Sequence, residues 1–470
     1  MFSKISYSLL TQICVVVLNF STLAILGRLI APENFGVFAI LMAVQIVLLP
    51  FIDLGLTPAY VKMEKVDNNV NNAFFTTNFV LAIINSIVYI AASFFINERD
   101  ILYYALIFVL HIFFSSLSQQ PLSILVRENN QKKIMFFSVS ALFLSSLIGI
   151  GLAIFDYGIY ALLFKMLFNS LFLFSFLMLT TPIRYNLVKL TKIWVYRNEL
   201  KFSTQILLSR IINGFSLSFD KFLFNKYFGT EALGFYSKSI DLARFPDANI
   251  SKGIASPFLS YIARKNSNEK HSLYFLYSCL IFFITGNVCL LIIIYGDWII
   301  VSLLGSNWET SGILLQILGF WGFGKVIHGA LILIYTNEKK MKKFIKLNIW
   351  GFFFNYSLVI LALIFGEKIN YVVIVFSLSN LIFWIFAYCI SIYSFSGLTY
   401  LYRSVKFILL NASIVLSVLF IIKSCCFQES EYKLVTIIVA YVLANLLSIT
   451  IMYVLDNKIF NQIKLLKDEL

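Results

Sequence analysis

Apolar residues in this chain gather in long uninterrupted stretches, and polar ones in the short gaps between them. The stretches hold about 20 residues, the length of a helix that crosses roughly 30 Å of hydrocarbon. They show no period-two alternation, which argues against a β-barrel. The pattern predicts spans near Ser6–Leu26, Gly36–Leu56, Ala73–Ile96, Ile101–Pro121, Ile134–Phe155 and Ile159–Thr180. After a gap come Ser203–Phe224, Leu233–Ile262, Leu273–Tyr295, Ile313–Thr336, Phe344–Phe365 and Tyr371–Phe395, and then Val405–Ser424 and Leu434–Leu455. The first run is too long for the core of a secretory signal and lacks a clear cleavage motif, so it reads as a span. The longest gap, residues 181–202, leaves no room for a soluble catalytic domain.

Composition agrees. Of 470 residues 60% are hydrophobic and 13% charged, against about 45–50% apolar and about 25% charged in soluble domains. A bilayer removes the need to hide such a chain, provided every backbone polar group pairs within a helix. The net charge of +14 does not indicate nucleic acid, because the bases are spread over short loops. They alternate by side. One side holds Lys4, Lys62, Lys65, Arg127, Lys132, Lys133, the 181–202 gap, Arg264, Lys265, Lys270, Lys339, Lys340, Lys342, Lys343, Lys346, Arg403, Lys406 and the tail. The other holds little beyond Arg28, Arg99, Lys226, Lys368, Lys423 and Lys433. Basic residues mark the cytoplasmic side, so both termini are expected there. The six cysteines lie in or at the ends of apolar runs and show neither metal-ligand spacing nor a disulfide framework.

The sequence carries an internal echo. Thr11-Gln12-Ile13 opens the first span and Thr204-Gln205-Ile206 the seventh, and at that offset Arg28 falls on Lys221. After a short insertion, Phe35-Gly36-Val37-Phe38 parallels Leu233-Gly234-Phe235-Tyr236. Six spans separate the copies, and an even number makes a parallel repeat. The expected fold is therefore an all-α polytopic membrane protein of about 14 transmembrane helices. Two six-helix lobes, 1–180 and 203–396, are joined by a basic cytoplasmic linker, 181–202. A C-terminal helix pair and tail, 397–470, follow. The linker's composition suits anionic membrane lipid.

Most spans carry no ionisable residue, and each exception costs about 2.5–3.5 kcal/mol at a helix centre. The exceptions are Asp53, Lys165, Arg210, Asp220, Lys221, Lys238, Asp241, Arg244, Asp247, Lys252 and Lys325. Lys238, Asp241, Arg244 and Asp247 follow at i, i+3 spacing along one helix face, with Pro246 and Pro257 breaking that helix. Such a face suits a cavity wall, or else an internal salt-bridge ladder. With Arg28 included, the bases of this set outnumber its acids, so a cavity they line favours an anion. Arg28, Arg210, Lys221, Lys238, Arg244, Lys252 and Lys325 are the candidate substrate-binding cations. Asp53, Asp220, Asp241 and Asp247 are the candidate cavity acids or coupling groups. Gly319-Phe-Trp-Gly-Phe-Gly324-Lys325 imitates a phosphate loop, but Val326 stands where a magnesium-binding hydroxyl is needed. Lys467-Asp468-Glu469-Leu470 spells a lumenal retrieval signal that a cytoplasmic terminus would not present. No catalytic residue, metal or cofactor is expected.

Three blocks resemble the bacterial polysaccharide transport family: Gly27-Arg28-Leu29-Ile30-Ala31-Pro32-Glu33-Asn34-Phe35-Gly36, then Asp53-Leu54-Gly55-Leu56-Thr57-Pro58-Ala59, then Asp220-Lys221 with Phe228-Gly229, Leu233-Gly234-Phe235-Tyr236 and Pro246. That family holds the flippases of O-antigen, capsule and exopolysaccharide units. It belongs to a superfamily shared with lipid II flippases and multidrug exporters. The resemblance implies transfer of an undecaprenyl-pyrophosphate-linked oligosaccharide across the bacterial cytoplasmic (inner) membrane, by rocking of two lobes around a cationic cavity. It also implies a polysaccharide polymerase and a chain-length regulator as partners. The alternatives are a drug antiporter of the same superfamily, whose cations would want acids, and a multispanning glycosyltransferase or polymerase, which would want a larger outer loop than Gly296–Gly312.

Overall fold

Backbone groups that cannot reach water must pair locally. In a computed structural model of the chain, the described residues do so in helices and form no strand. The structure describes residues 2–455 except 53, 55, 64–65, 97–99, 181–186, 189–210, 212–213, 264, 266, 367 and 428–431. In chain order the helices are α1 (Phe2–Leu29), α2 (Pro32–Leu48), α3 (Leu56–Lys62), α4 (Asn68–Ser93), α5 (Ile101–Leu117), α6 (Gln119–Arg127), α7 (Gln131–Ile154) and α8 (Ile159–Thr180). They continue as α9 (Phe219–Phe245), α10 (Lys252–Ile262), α11 (Ser267–Ile281), α12 (Asn287–Leu304), α13 (Glu309–Asn337), α14 (Met341–Phe365), α15 (Ile369–Ser396), α16 (Leu398–Ile422) and α17 (Lys433–Leu455).

Twelve helical stretches among the described residues are long and apolar enough to cross a membrane, so the chain is a multi-pass membrane protein. Two expected spans are not among the twelve. The seventh begins in residues outside the described set. The eighth follows α9 into α10 and carries Lys238, Asp241, Arg244, Asp247 and Lys252, too many charges to register as apolar. Two boundaries differ from expectation. The third span starts at Asn68 and not Ala73, because the Asp67 carboxylate accepts the Val70 N–H at 2.8 Å and caps the helix. The fourth continues beyond Pro121 to Arg127, since Pro121 falls in the first turn of α6, where no N–H is required.

The helices form two compact units, Met1–Ser237 and Lys238–Leu470. In the first, α2, α4, α5 and α8 enclose Leu41, Tyr89, Phe108, Ile112 and Leu163. The Tyr89 ring stacks on Phe108 at 5.2 Å, and its hydroxyl donates to the Leu41 carbonyl. His111 is held between Gln45 and the Met166 carbonyl, 2.9 and 3.1 Å away. The second span is interrupted by a 3-10 turn at Leu49–Phe51, where Pro50 sits, and resumes as α3. Arg127 donates to the Tyr60 and Met63 carbonyls at the end of α3, so this base closes a helix terminus as well as marking a membrane side.

In the second unit α13 is central, packed by α12 and α15. Its glycines explain the closeness. A methyl at Gly319 would meet Ile293 of α12, one at Gly322 the Ala243 carbonyl of α9, and one at Gly324 the backbone of Leu381 on α15. The segment that imitates a phosphate loop is thus a transmembrane helix whose glycines admit three neighbours.

Candidate functional site

In the first unit the turn between the expected seventh and eighth spans is made at Gly229. Its φ of 80° and ψ of 178° interrupt α9 and suit glycine alone. The reversal brings Tyr236 back to Asp220. The Tyr236 hydroxyl donates to Asp220 Oδ2 at 2.6 Å, and its ring stacks on Phe224 at 4.2 Å. Both Asp220 and Lys221 are buried, and Asp220 Oδ1 has no hydrogen-bond partner among the described residues.

Near that turn α9 crosses α2 with no side chain between them. A Cβ on Gly36 would clash with the Thr230 carbonyl oxygen, and one on Gly234 with that of Pro32. The two contacts exchange under a single shift of 198 positions, 36 to 234 and 32 to 230. Both glycines belong to the echoing blocks, so the two blocks touch each other reciprocally. Arg28 lies in the last turn of α1, where the helix carbonyls favour a cation, and is exposed. Asp53 and Arg210 lie outside the described residues.

The second unit holds the remaining charges. Lys238 and Asp241 pair at 3.4 Å, with Asp241 half exposed. This is one rung of the ladder that the i, i+3 spacing suggested. Beyond it the helix changes form. Pro246 offers no N–H to the preceding turn, and the chain widens into a π-turn over Pro246–Ser251. Asp247 in that turn sits against α13, its Oδ1 3.2 Å from where a Cβ of Gly329 would be. Three bases act on its carboxylate through their charge, Lys325 most, then Lys252, then Arg244, without an ion pair to it among the described residues. The Lys325 ammonium also lies 5.1 Å over the Trp321 ring. Arg244 and Lys325 are half-buried, and Lys252 is exposed. A second π-turn, Phe282–Gly286, packs against the first. The Ser251 hydroxyl faces the Asp247 carboxylate, and the Tyr277 hydroxyl on the same side is buried without a hydrogen-bond partner among the described residues.

The candidate charges therefore fall into Asp220 fixed to Tyr236 with Lys221 next to it in sequence, a Lys238–Asp241 pair, and Asp247 in the charge field of Arg244, Lys252 and Lys325. Sequence reading missed Ser251, Tyr277 and Trp321. Two of them stand four residues from a charge already singled out, Ser251 from Asp247 and Trp321 from Lys325, and helical spacing alone would have drawn them in. A groove of about 310 Å³ between α16 and α17, lined by Ser413, Ile414, Ser417, Val418, Leu447 and Ile451, contains none of these charges.

A family model described as polysaccharide biosynthesis protein matches residues 25–313. No curated protein matches the chain in sequence. Among solved structures, the lipid II flippase MurJ in an inward closed conformation is similar with a TM-score of 0.71 at 16% identity, over 96% of this chain and 99% of that one. An inward-facing multidrug resistance MATE family transporter of the MOP superfamily gives 0.62 at 15% identity, over 80% and 94%. An outward-facing MATE family transporter of that superfamily gives 0.53 at 15%, over 83% and 96%. At these identities the likeness is one of fold.

Proposed function

Since the chain belongs to the polysaccharide biosynthesis protein family and shares its fold with flippases and exporters, we propose that it is a flippase for an anionic lipid-linked oligosaccharide. The substrate is an undecaprenyl-pyrophosphate-linked repeat unit of O-antigen, capsule or exopolysaccharide. It moves from the inner to the outer leaflet of the bacterial cytoplasmic membrane by alternating access. One observation carries the reading: three bases, Arg244, Lys252 and Lys325, all bring positive charge to the neighbourhood of Asp247 within the helical second unit. Bases held in a low-dielectric setting replace the water that a diphosphate gives up on leaving the aqueous phase. A multidrug antiporter would share the fold, but an organic cation needs the opposite sign.

The lobes of this reading are 1–180 and 203–396, with 181–202 as the cytoplasmic linker and 397–470 as an added pair and tail. The exchange of contacts at Gly36 and Gly234 supports the parallel repeat. Arg28, Arg210, Lys221 and Lys238 are the further candidate cations of this reading, and Asp53, Asp220 and Asp241 its candidate acids. A polysaccharide polymerase and a chain-length regulator would act on what is delivered outside. Deleting the gene tests the function. Lipid-linked units should accumulate inside and the surface glycan should disappear. Normal surface glycan in a strain with no redundant transporter refutes the proposal, and loss of unit assembly itself points to an enzyme.

A further inference from the structure

α13 runs unbroken from Glu309 to Asn337, but its hydrogen-bond ladder has a foreign member. The Trp321 N–H donates to Ser377 Oγ at 2.8 Å, and that hydroxyl donates to the Ile317 carbonyl at 2.6 Å. Residues 317 and 321 are a pair that an α-helix bonds directly. A side chain of α15 therefore stands between them, and an inserted side chain is one of the few causes of a helix kink. Ser377 and Trp321 are both buried, so water does not compete for the bridge. We propose that Ser377 is a positioning residue, the pivot on which the half of α13 bearing Trp321, Lys325 and His328 turns relative to α12 during transport. The proposal rests on the transporter reading above and adds where the second unit bends.

The two halves of α13 are fastened to different neighbours. Ahead of the bridge, Gln316 donates to the Ile294 carbonyl of α12 at 3.1 Å, and Gly312 and Gly319 admit Asp297 and Ile293 of that helix. Beyond it, His328 bonds Asn348 of α14 and Tyr335 bonds Ser391 of α15, each at 2.9 Å. The joint also meets two other irregular turns. The Phe323 ring stacks on Phe282 at 5.8 Å, and a Cβ on Gly286 would lie 3.2 Å from that ring, both partners belonging to the π-turn Phe282–Gly286. The π-turn Pro246–Ser251 packs against that one, and the Ala243 carbonyl just before it approaches Gly322. Three neighbouring stretches thus leave regular α pairing in one place, as functional hinges do. A hydroxyl suits such a joint because it donates and accepts together. It keeps the Ile317 carbonyl and the Trp321 N–H paired as they separate, where an opened ladder would strand both groups inside the bilayer.

Paired spin labels on the full-length protein in lipid nanodiscs test this, in a background free of the native cysteines. Ile332→Cys marks the second half of α13, and Leu409→Cys marks α16, which Asn411 ties to α12. Both positions are exposed. Electron–electron double resonance should give more than one distance when Ser377 is native, and a single distance in Ser377→Ala, whose ladder closes directly. In cells Ser377→Ala should lose the surface glycan, while its thermal midpoint stays level or rises. Ser377→Thr keeps the hydroxyl and should keep both the distances and the glycan. A residue that served packing alone would lower the midpoint and leave the distances as they were. A single narrow distance with native Ser377 overturns the joint, and this outcome needs no variant of Ser377 to fold. Unchanged distances in Ser377→Ala overturn it too. Full surface glycan in a Ser377→Ala protein held to one distance overturns the role in transport. The distances are read without substrate, so these failures leave the flippase reading to the deletion strain.

Discussion

Single side chains in this protein are placed by what the backbone lets them reach. Asp220 and Tyr236 stand on either side of a reversal at Gly229, and the reversal alone makes their 2.6 Å hydrogen bond possible. Hydrogen bonds to charged groups contribute about 1.5–3 kcal/mol. Tyr236→Phe keeps the ring on Phe224 and removes only the donor. It should lower stability by roughly that amount, read as a lower thermal midpoint of purified protein. An unchanged midpoint would mean that Asp220 takes another donor at once. The sequence advertised Asp220 as a charge and Tyr236 as part of a motif, yet it did not link them, because their contact depends on the φ of one glycine between them. Lys165 illustrates the opposite case. It was legible only as an expense, and its stem packs along Gly149 on the neighbouring helix, an apolar use of a basic residue.

Whole elements were easier to foresee than their interruptions. Runs of apolar residues give the spans directly, and Pro246 announces one break, but Pro257 stands inside α10 where a second was expected, and Pro50 interrupts a span read as continuous. The π-turn at Phe282–Gly286 has no proline and no local signal; it is met only where two widened turns pack together. The seating of the C-terminal pair was equally hidden, since asparagines in an apolar run say nothing of their partners. Asn287 on α12 and Asn411 on α16 exchange amide hydrogen bonds at 2.6 and 3.4 Å. Asn287 also donates to Asn445 on α17 at 2.8 Å, and the Ser448 hydroxyl to Asn411 at 2.7 Å. Lys423 at the end of α16 pairs with Asp297 at 3.0 Å. Interhelical hydrogen bonds in membranes average about 0.6 kcal/mol and reach about 1.7. Asn287→Ala strands several partners at once, so it should lower the thermal midpoint clearly. Asn287→Leu with Asn411→Leu removes both main members and should lower it less. A larger loss in the double variant would show that the network does more than seat the pair.

Across the molecule, the alternation of basic and base-poor gaps implies one arrangement in the membrane. In a thiol-free background, Lys340→Cys should escape an impermeant reagent added to intact spheroplasts, and Lys368→Cys should react. Labelling at 340 would invert or break the span map. At the Gly36–Gly234 crossing the motif copies meet as identical subunits do across a dimer axis, each patch answering its own likeness. A chain that arose by gene doubling inherits such a contact from a homodimeric ancestor, in which one codon set both sides. Such a doubling separates the codons without making them independent, because a methyl added at either glycine must open the same gap. Gly36→Ala and Gly234→Ala should each lower the thermal midpoint, and the pair together by less than the sum. Strict additivity would place the glycines in separate environments. A shortfall would mean that once one copy has lost its glycine, selection on the other relaxes and the two halves of the gene are free to diverge there.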